Sequence, residues 1–325
     1  MHLLRSTARF ALMLVCLLAP IAVWAQAWPQ RPVKIVVPSP PGDGSDAVAR
    51  AIADKLAIAL GQPFVVENKP GAGGVIGSSE AAHAPHDGYT LIMGNAGSHG
   101  INAAVYSKLP YDIQKDFAPV SQVAVAPNVM VINPSVPANS VSEFIAYAKA
   151  NPGKLSYASG GNGSSAHMSM ELFKSVSGID IQHVPYKGSS PALTDVVSGQ
   201  VVAFIGNMPP TVPLIKAGKL KALAVTTKSR STLMPELPTI SEAGLPGFET
   251  VAWFGVLAPA GTPPEIVNRL SAEIAKIVKS PEMREKLVAM GAEPVGGTPD
   301  EFRAVIDRDI AKWKPLAQKV GIKVD

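Results

Sequence analysis

Tyr157-Ala158-Ser159-Gly160-Gly161-Asn162-Gly163-Ser164-Ser165-Ala166-His167 is the stretch on which the reading of this chain turns. A short apolar strand, Leu155 to Ala158, runs into small and glycyl residues, and an amphipathic helix follows from Met168 to Val176. Such a turn points several backbone N–H groups and two hydroxyls at one spot ahead of a helix N-terminus. Anions bind there, because unpaired amides and the helix dipole both favour negative charge. A second turn of this kind, Pro40-Pro41-Gly42-Asp43-Gly44-Ser45-Asp46, follows a β-rich run from Val33 to Val37. Two such turns far apart in sequence imply a small anion held between two lobes.

The opening residues read as a secretory signal peptide over 1–25, with Arg5 and Arg9 as the charge and Phe10 to Val23 as the apolar run. Cleavage is expected after Ala25 or Ala27. A run of about 14 residues is shorter than the roughly 20 that span a bilayer, and no later segment comes close. Cys16, the one cysteine, lies inside that run, so the mature chain has neither disulfide nor thiol chemistry. The expectation is an exported periplasmic protein. Without Arg5 and Arg9, 27 basic residues face 25 acidic ones, and charge says little about partners. Lysines and arginines are scattered rather than gathered with aromatics, so nucleic-acid binding is not expected.

Beyond the signal the chain is longer than one ordinary core supports, and strand and helix alternate along it. After Val33–Val37 and a helix over Ala47–Leu60 come Phe64–Glu67, Thr90–Met93, Val129–Ile132, Leu155–Ala158, Ile181–Pro185, Val201–Ile205 and Leu220–Thr226 as short strands. This pattern predicts an α/β fold of mainly parallel central sheets flanked by helices. Ser140…Glu143, Thr262…Glu265 and Thr298…Glu301 have capping-box spacing, with Pro263 and Pro299 at the first helical position of the last two. Val120–Pro127 and Trp253–Pro259 read as two crossing segments. They divide the chain into one lobe of 28–126 plus 254–325 and another of 127–253, joined by a two-stranded hinge.

Other motifs have plainer readings. Gly71-Ala72-Gly73-Gly74-Val75-Ile76-Gly77 departs from a dinucleotide loop in glycine spacing, in Pro70 before it and in the missing acidic residue, so a structural loop is expected. Pro85 separates His83 from His86, which favours a surface turn over a metal site, and no cofactor is expected. Ser164, Ser165 and His167 lack the Gly-x-Ser-x-Gly elbow of a hydrolase. Asp46 reads as a first-turn helix residue or a ligand-positioning group, Trp253 and Phe254 as core, and Lys187 as an exposed turn residue.

Pro38-Ser39-Pro40-Pro41-Gly42-Asp43-Gly44-Ser45-Asp46 resembles the first loop of the Bug-type solute receptors, the extracytoplasmic binding proteins of tripartite tricarboxylate transporters. Glu67–Gly74, Asp87–Leu91, His183–Gly188, Leu237–Gly244 and Trp253–Pro263 continue the likeness in order over the whole mature chain. The resemblance implies a two-lobed Venus-flytrap binding protein without catalysis, monomeric, that docks on membrane permease subunits. It implies a small carboxylate ligand held by Pro41, Gly42, Ser45 and Asp46, by Asn95 and Ser98, and by Ser159, Gly160, Ser164, Ser165, Tyr186, Gly188 and Asn207. Two departures stand out: Asp43 replaces the usual second glycine, and Asn207 stands where an acidic residue is common. A carboxylate at Asp43 weighs against di- and tricarboxylates and leaves monocarboxylates, amino acids, aromatic acids and amides. A secreted hydrolase or isomerase using the same cleft, and a sensor for a membrane kinase, are the alternatives.

Overall fold

The computed structural model describes residues 28–231 and 233–324, so the expected leader and both cut sites lie outside the described residues. The first strands and helices are β1 (Val33–Val37), α1 (Gly44–Leu60), β2 (Phe64–Asn68), α2 (Val75–Ala82) and β3 (Thr90–Asn95). A π-helical turn (Gly97–Ile101) leads into α3 (Asn102–Val105) and the long β4 (Phe117–Ile132). Next come α4 (Val141–Ala150), β5 (Ser156–Ser159), α5 (Ser165–Ser177), β6 (Gln182–Pro185), α6 (Ser189–Ser198), β7 (Ala203–Asn207), α7 (Met208–Lys216) and β8 (Lys221–Val225). The chain closes with β9 (Val251–Pro259), α8 (Pro264–Lys279), α9 (Pro281–Ala289), β10 (Glu293–Pro294) and α10 (Pro299–Val320).

β1 pairs in parallel with β2 and β3, and β5 pairs in parallel with β6 and β7. These are the βαβ units that the alternation predicts, each with its crossover helix packed on a sheet face. Between the two sheets runs β4. Its first part, Phe117 to Pro127, pairs antiparallel with β9, while Asn128 to Ile132 pairs antiparallel with β7 and β8. The sequence reading split this strand into a crossing segment and a separate strand at Val129. In fact one continuous strand spans both sheets, and Pro127, which has no N–H to donate, sits where the pairing changes partners. The chain returns at Thr250–Val251, where β9 begins opposite Pro127.

Both sheets are covered on both faces, which accounts for the near-continuous apolar runs of the parallel strands. Ile35, Val37, Ile52, Leu56, Leu91, Leu270 and Ile274 fill one face of the first sheet, and Val36, Ile92, Phe117, Leu257 and Phe302 fill the other. Met130, Phe144, Tyr157, Phe173 and Ile205 fill one face of the second sheet, and Val129, Leu193, Val196 and Phe204 the other. A smaller cluster joins the two: Met168 of α5 packs with Ile101, Val105 and Trp313.

Helix starts follow the sequence reading at α10, where Thr298 and Glu301 form a reciprocal capping box with Pro299 next. At α4, Ser140 Oγ accepts from the Glu143 N–H at 3.2 Å, while Glu143 Oε2 accepts from Asn139 rather than from Ser140. The expected cap at Thr262 is corrected. Pro264 forces the preceding Pro263 into extended backbone, so the helix begins one residue late and Thr262 Oγ1 donates instead to the Pro259 carbonyl.

One half-buried carboxylate ties this assembly together. Asp309 of α10 accepts from both indole N–H groups of Trp253 (2.8 Å) and Trp313 (3.1 Å). Burial pushes its carboxyl above the ordinary value, against the pull of those bonds. Asp309→Ala should leave two buried donors unpaired and cost about 3 kcal/mol in urea unfolding. Asp309→Asn, which keeps an acceptor, should cost clearly less.

Candidate functional site

A cavity of about 330 Å³ lies between the two sheets, lined from both halves of the chain. From the first half come Pro38 to Pro40, Asp43, Ser45, the glycine run Gly71–Gly74, Asn95 to Gly97 and Tyr106. From the second come Gly160 to Asn162, Ser164 to Ala166, Tyr186 to Ser189 and Asn207, with Ala252 and Phe254 at the base of β9. Four helix starts therefore meet here: α1 at Ser45, α5 at Ser165, α6 at Ser189 and α7 after Asn207.

Three of these helix starts, α1, α6 and α7, differ from α4, α9 and α10, whose first amides are capped by Ser140, Ser280 and Thr298. At the cavity, Asp43, Gly188 and Asn207 stand at the N-cap positions of α1, α6 and α7, and none makes a side-chain cap bond. The leading N–H groups of α1 and α6 are left without a cap from these residues, while at α7 Pro209 and Pro210 have no N–H to give. α5, by contrast, is capped. Ser164 Oγ accepts from the His167 N–H at 3.3 Å, and Ser165 Oγ accepts from Asn128 Nδ2 at 3.4 Å. Each hydroxyl accepts from behind, so its proton remains to be donated into the cavity.

Of the residues singled out from sequence, Ser45, Asn95, Gly160, Ser164, Ser165, Tyr186, Gly188 and Asn207 line the cavity. The other five do not, and all but Pro41 bond within the turns. Pro41 and Gly42 are exposed, and the Gly42 N–H donates to Asp46 Oδ2 at 2.9 Å. Asp46 is further held by Asn68 Nδ2 (3.0 Å) and Arg50 (2.9 Å); burial alone would raise its carboxyl, but these bonds hold it below the usual range. Ser98 caps the turn after β3 through reciprocal bonds with Asn95 and a 2.8 Å bond to His99. Ser159 Oγ accepts from the Gly161 N–H and bonds His183 Nε2 at 2.6 Å. These five build the turns; they do not face the space the turns enclose.

Other cavity residues went unnamed or were read as plain structure. Gly71–Gly74, taken as a structural loop, lines the site and is held by bonds to the Gly73 carbonyl from Asn102 and to the Ala72 carbonyl from Tyr106. Phe254, read as core, reaches the cavity although it is 1% exposed. Ser189 had a signal in the preceding Gly188, a glycine in front of a helix; Tyr106 had none. Lys187, at the exposed rim, is the one cationic side chain among the described lining residues.

The halves touch at these loops. Gly188 has φ +118°, and a Cβ there would lie 2.3 Å from Pro40 Cγ. A Cβ on Gly73 would lie 2.7 Å from the Asn162 carbonyl oxygen. Ser190 Oγ donates across to the Gly42 carbonyl at 3.3 Å. Behind the cavity, Asn128 Nδ2 reaches Ser165, Ser169 and Thr250, and the Thr226 and Thr250 N–H groups donate to the Asn128 and Thr226 carbonyls, respectively, each at 2.9 Å. A polar knot thus joins both crossings to the serine turn.

Histidines brace that turn from beneath. His167 and His183 stack at 4.0 Å and 11°, and the Gly163 N–H donates to His167 Nδ1 at 3.1 Å. Burial pushes His167 down to about 4 and His183 to about 3, each lowered further by a neighbouring positive group. Burial likewise takes His99 to about 3.

Three comparisons with known proteins bear on this site. The model of the tripartite tricarboxylate transporter family receptor matches residues 48–322. Protein BugT of Bordetella pertussis is 40% identical over 307 residues, covering 94% of this chain and 94% of its own length. An R. palustris protein solved with adipate superposes with a TM-score of 0.89 at 44% identity, covering 91% of this chain and 99% of that one. MatC from Rhodopseudomonas palustris, with bound malate, gives 0.85 at 36% identity, covering 89% and 99%.

The three histidines make stability depend on pH with a definite sign. Their folded values lie below the ordinary 6.5, so the unfolded chain binds protons that the folded protein refuses. Stability is complete above pH 6.5 and falls as pH drops toward 4, by up to about 1.4 kcal/mol per pH unit for each of the buried His99 and His167. His167→Gln, which retains an acceptor for Gly163, should flatten the fall in Tm between pH 6.5 and 4.5.

Proposed function

The chain belongs to the tripartite tricarboxylate transporter family receptors, and from that premise we propose that it captures a small carboxylate between its two halves for uptake across a membrane. The reading rests on one observation: uncapped helix starts and free serine hydroxyls converge on one cavity of about 330 Å³. That volume lies in the range of small-molecule sites. The adipate and malate in the two solved relatives support a carboxylate as the ligand class.

The division into 28–126 plus 254–325 and 127–253 lets the two halves move about the crossings at β4 and β9. Donors from both halves reach the ligand only when the loops of Pro40 and Gly188 meet. The ligand therefore shifts the equilibrium toward closure by its extra affinity for that form. A closed receptor, acting in the periplasm, then presents one face to membrane permease subunits. The ligand leaves unchanged. The close Ser159–His183 pair sits behind the glycine turn, with Ser159 0% exposed, and faces no part of the cavity.

Calorimetry with adipate and malate as probes tests the reading. At least one should bind with unit stoichiometry and be recovered intact. The double variant Ser164→Ala, Ser165→Ala should remain folded, lose about 1 kcal/mol of helix capping, and bind about tenfold or more weakly. Equal affinity in the folded double variant defeats the assignment of this site. Gly188→Ala places a methyl against Pro40 at a backbone angle that strains side chains. It should weaken binding of the same probe about tenfold, and X-ray scattering should show less compaction on ligand addition than for the unaltered protein.

A further inference from the structure

Asp43 is the anomaly of the cavity. It is 9% exposed, lines the space directly, and its Oδ1 has no hydrogen-bond partner. Although it stands at the N-cap of α1, its side chain caps nothing there. It faces instead the first residue of α6 across the gap, where Gly188 brings no capping side chain of its own. Burial raises its carboxyl, against the pull of the Ser189 hydroxyl, the Gly44 amide and the Ser39 hydroxyl. One of the helix starts that meet at the cavity thus already has a carboxylate supplied by the protein.

We propose that Asp43 sets the ligand class: the site takes a small monocarboxylate whose other end carries an N–H donor, an ammonium or an amide, and discriminates against dicarboxylates. This rests on the carboxylate reading above and narrows it. The ligand carboxylate goes to the serine turn of α5, where the Ser164 and Ser165 hydroxyls have protons left to donate. Its N–H end goes to Asp43, giving Oδ1 the donor it lacks. A second carboxylate at that end would stand beside a like charge in a water-poor space, where such pairing is strongly unfavourable. The cavity offers little to offset this, since Lys187 sits at the exposed rim, and Arg50 is engaged by Asp46 outside the cavity.

Matched probes of equal length test the assignment by calorimetry: adipate against 6-aminohexanoate and hexanoate, and succinate against 4-aminobutanoate and succinamate. The expected result is that an amino or amide monocarboxylate binds about tenfold or more tightly than the dicarboxylate of its length, and more tightly than the donor-free acid. Asp43→Gly should abolish or reverse that preference. Its extended backbone (φ −77°, ψ 164°) suits either residue. The near-isosteric Asp43→Asn guards against a loss of folding and should weaken the preference for an ammonium. A dicarboxylate preferred by the unaltered protein, or a ratio unchanged in both variants, overturns the role of Asp43. Where either result comes with carboxylates that bind and are lost on Ser164→Ala, Ser165→Ala, it overturns Asp43 alone. If the unaltered protein binds none of the probes, nor malate, the wider carboxylate reading falls with it.

Discussion

Backbone donors without acceptors are the constraint around which the molecule is arranged. A helix start that ends in solvent is satisfied by water, and one that ends in a core is capped. The starts of α1, α6 and α7 end at one cavity with no cap from their own N-cap residues, and α6 meets Asp43 from across the gap. Such an arrangement leaves several partial positive charges unbalanced in a partly dry space, which is unfavourable until an anion arrives. Turn geometry maintains that imbalance. Asp46, Ser98 and Ser159 spend their polar atoms on the loops themselves, so the loops do not collapse onto the donors they present.

Position across the gap depends on β4. Because one unbroken strand pairs with β9 in the first sheet and with β7 and β8 in the second, the two sheets share a common backbone beam. The knot of Asn128, Ser169, Thr226 and Thr250 fixes the beam to the returning strand, and the same Asn128 reaches Ser165. On the proposed closure, a rotation at the crossings is passed to the serine turn through the Asn128 side chain. The glycines at 73 and 188 allow the far rims to meet, since a methyl at either would strike the opposing loop.

Much of this was legible before any coordinates. Short, near-continuous apolar runs with helix-length segments between them specify α/β units locally, and the residues at Gly160 to Ser165 carry their turn chemistry in their names. Eight of the thirteen residues singled out lie on the cavity, nearly all small residues at the ends of strands or the starts of helices. What failed to show was direction. Sequence places Gly42, Ser98 and Ser159 beside the right turns but cannot say whether a hydroxyl or amide points outward or bonds its own loop. Nor could it show that Val120–Pro127 and Val129–Ile132 form one strand, because a proline inside a run reads as a break when the partner strands are unknown. Tyr106 was hidden for a related reason: it reaches the cavity from a short helix that has no motif.

Asp43 and Asp46 make the same point in sharper form. They stand three residues apart in one turn, and sequence treats them alike as acids near a helix start, with the dipole favouring both. Asp46 falls where Arg50, Asn68 and the Gly42 amide can all reach it, so its charge is neutralised by neighbours and its carboxyl held low. Asp43 points the other way, into the gap, where burial outweighs a few weak donors and one oxygen is left unpaired. Their difference follows from a single turn of backbone. Here the loop turns Asp43 toward Ser189 of the opposing half and Asp46 toward Arg50 and Asn68 of its own. The residue that faces across is thus the one able to sense what occupies the gap, and its charge becomes part of the site even though its own helix does not use it.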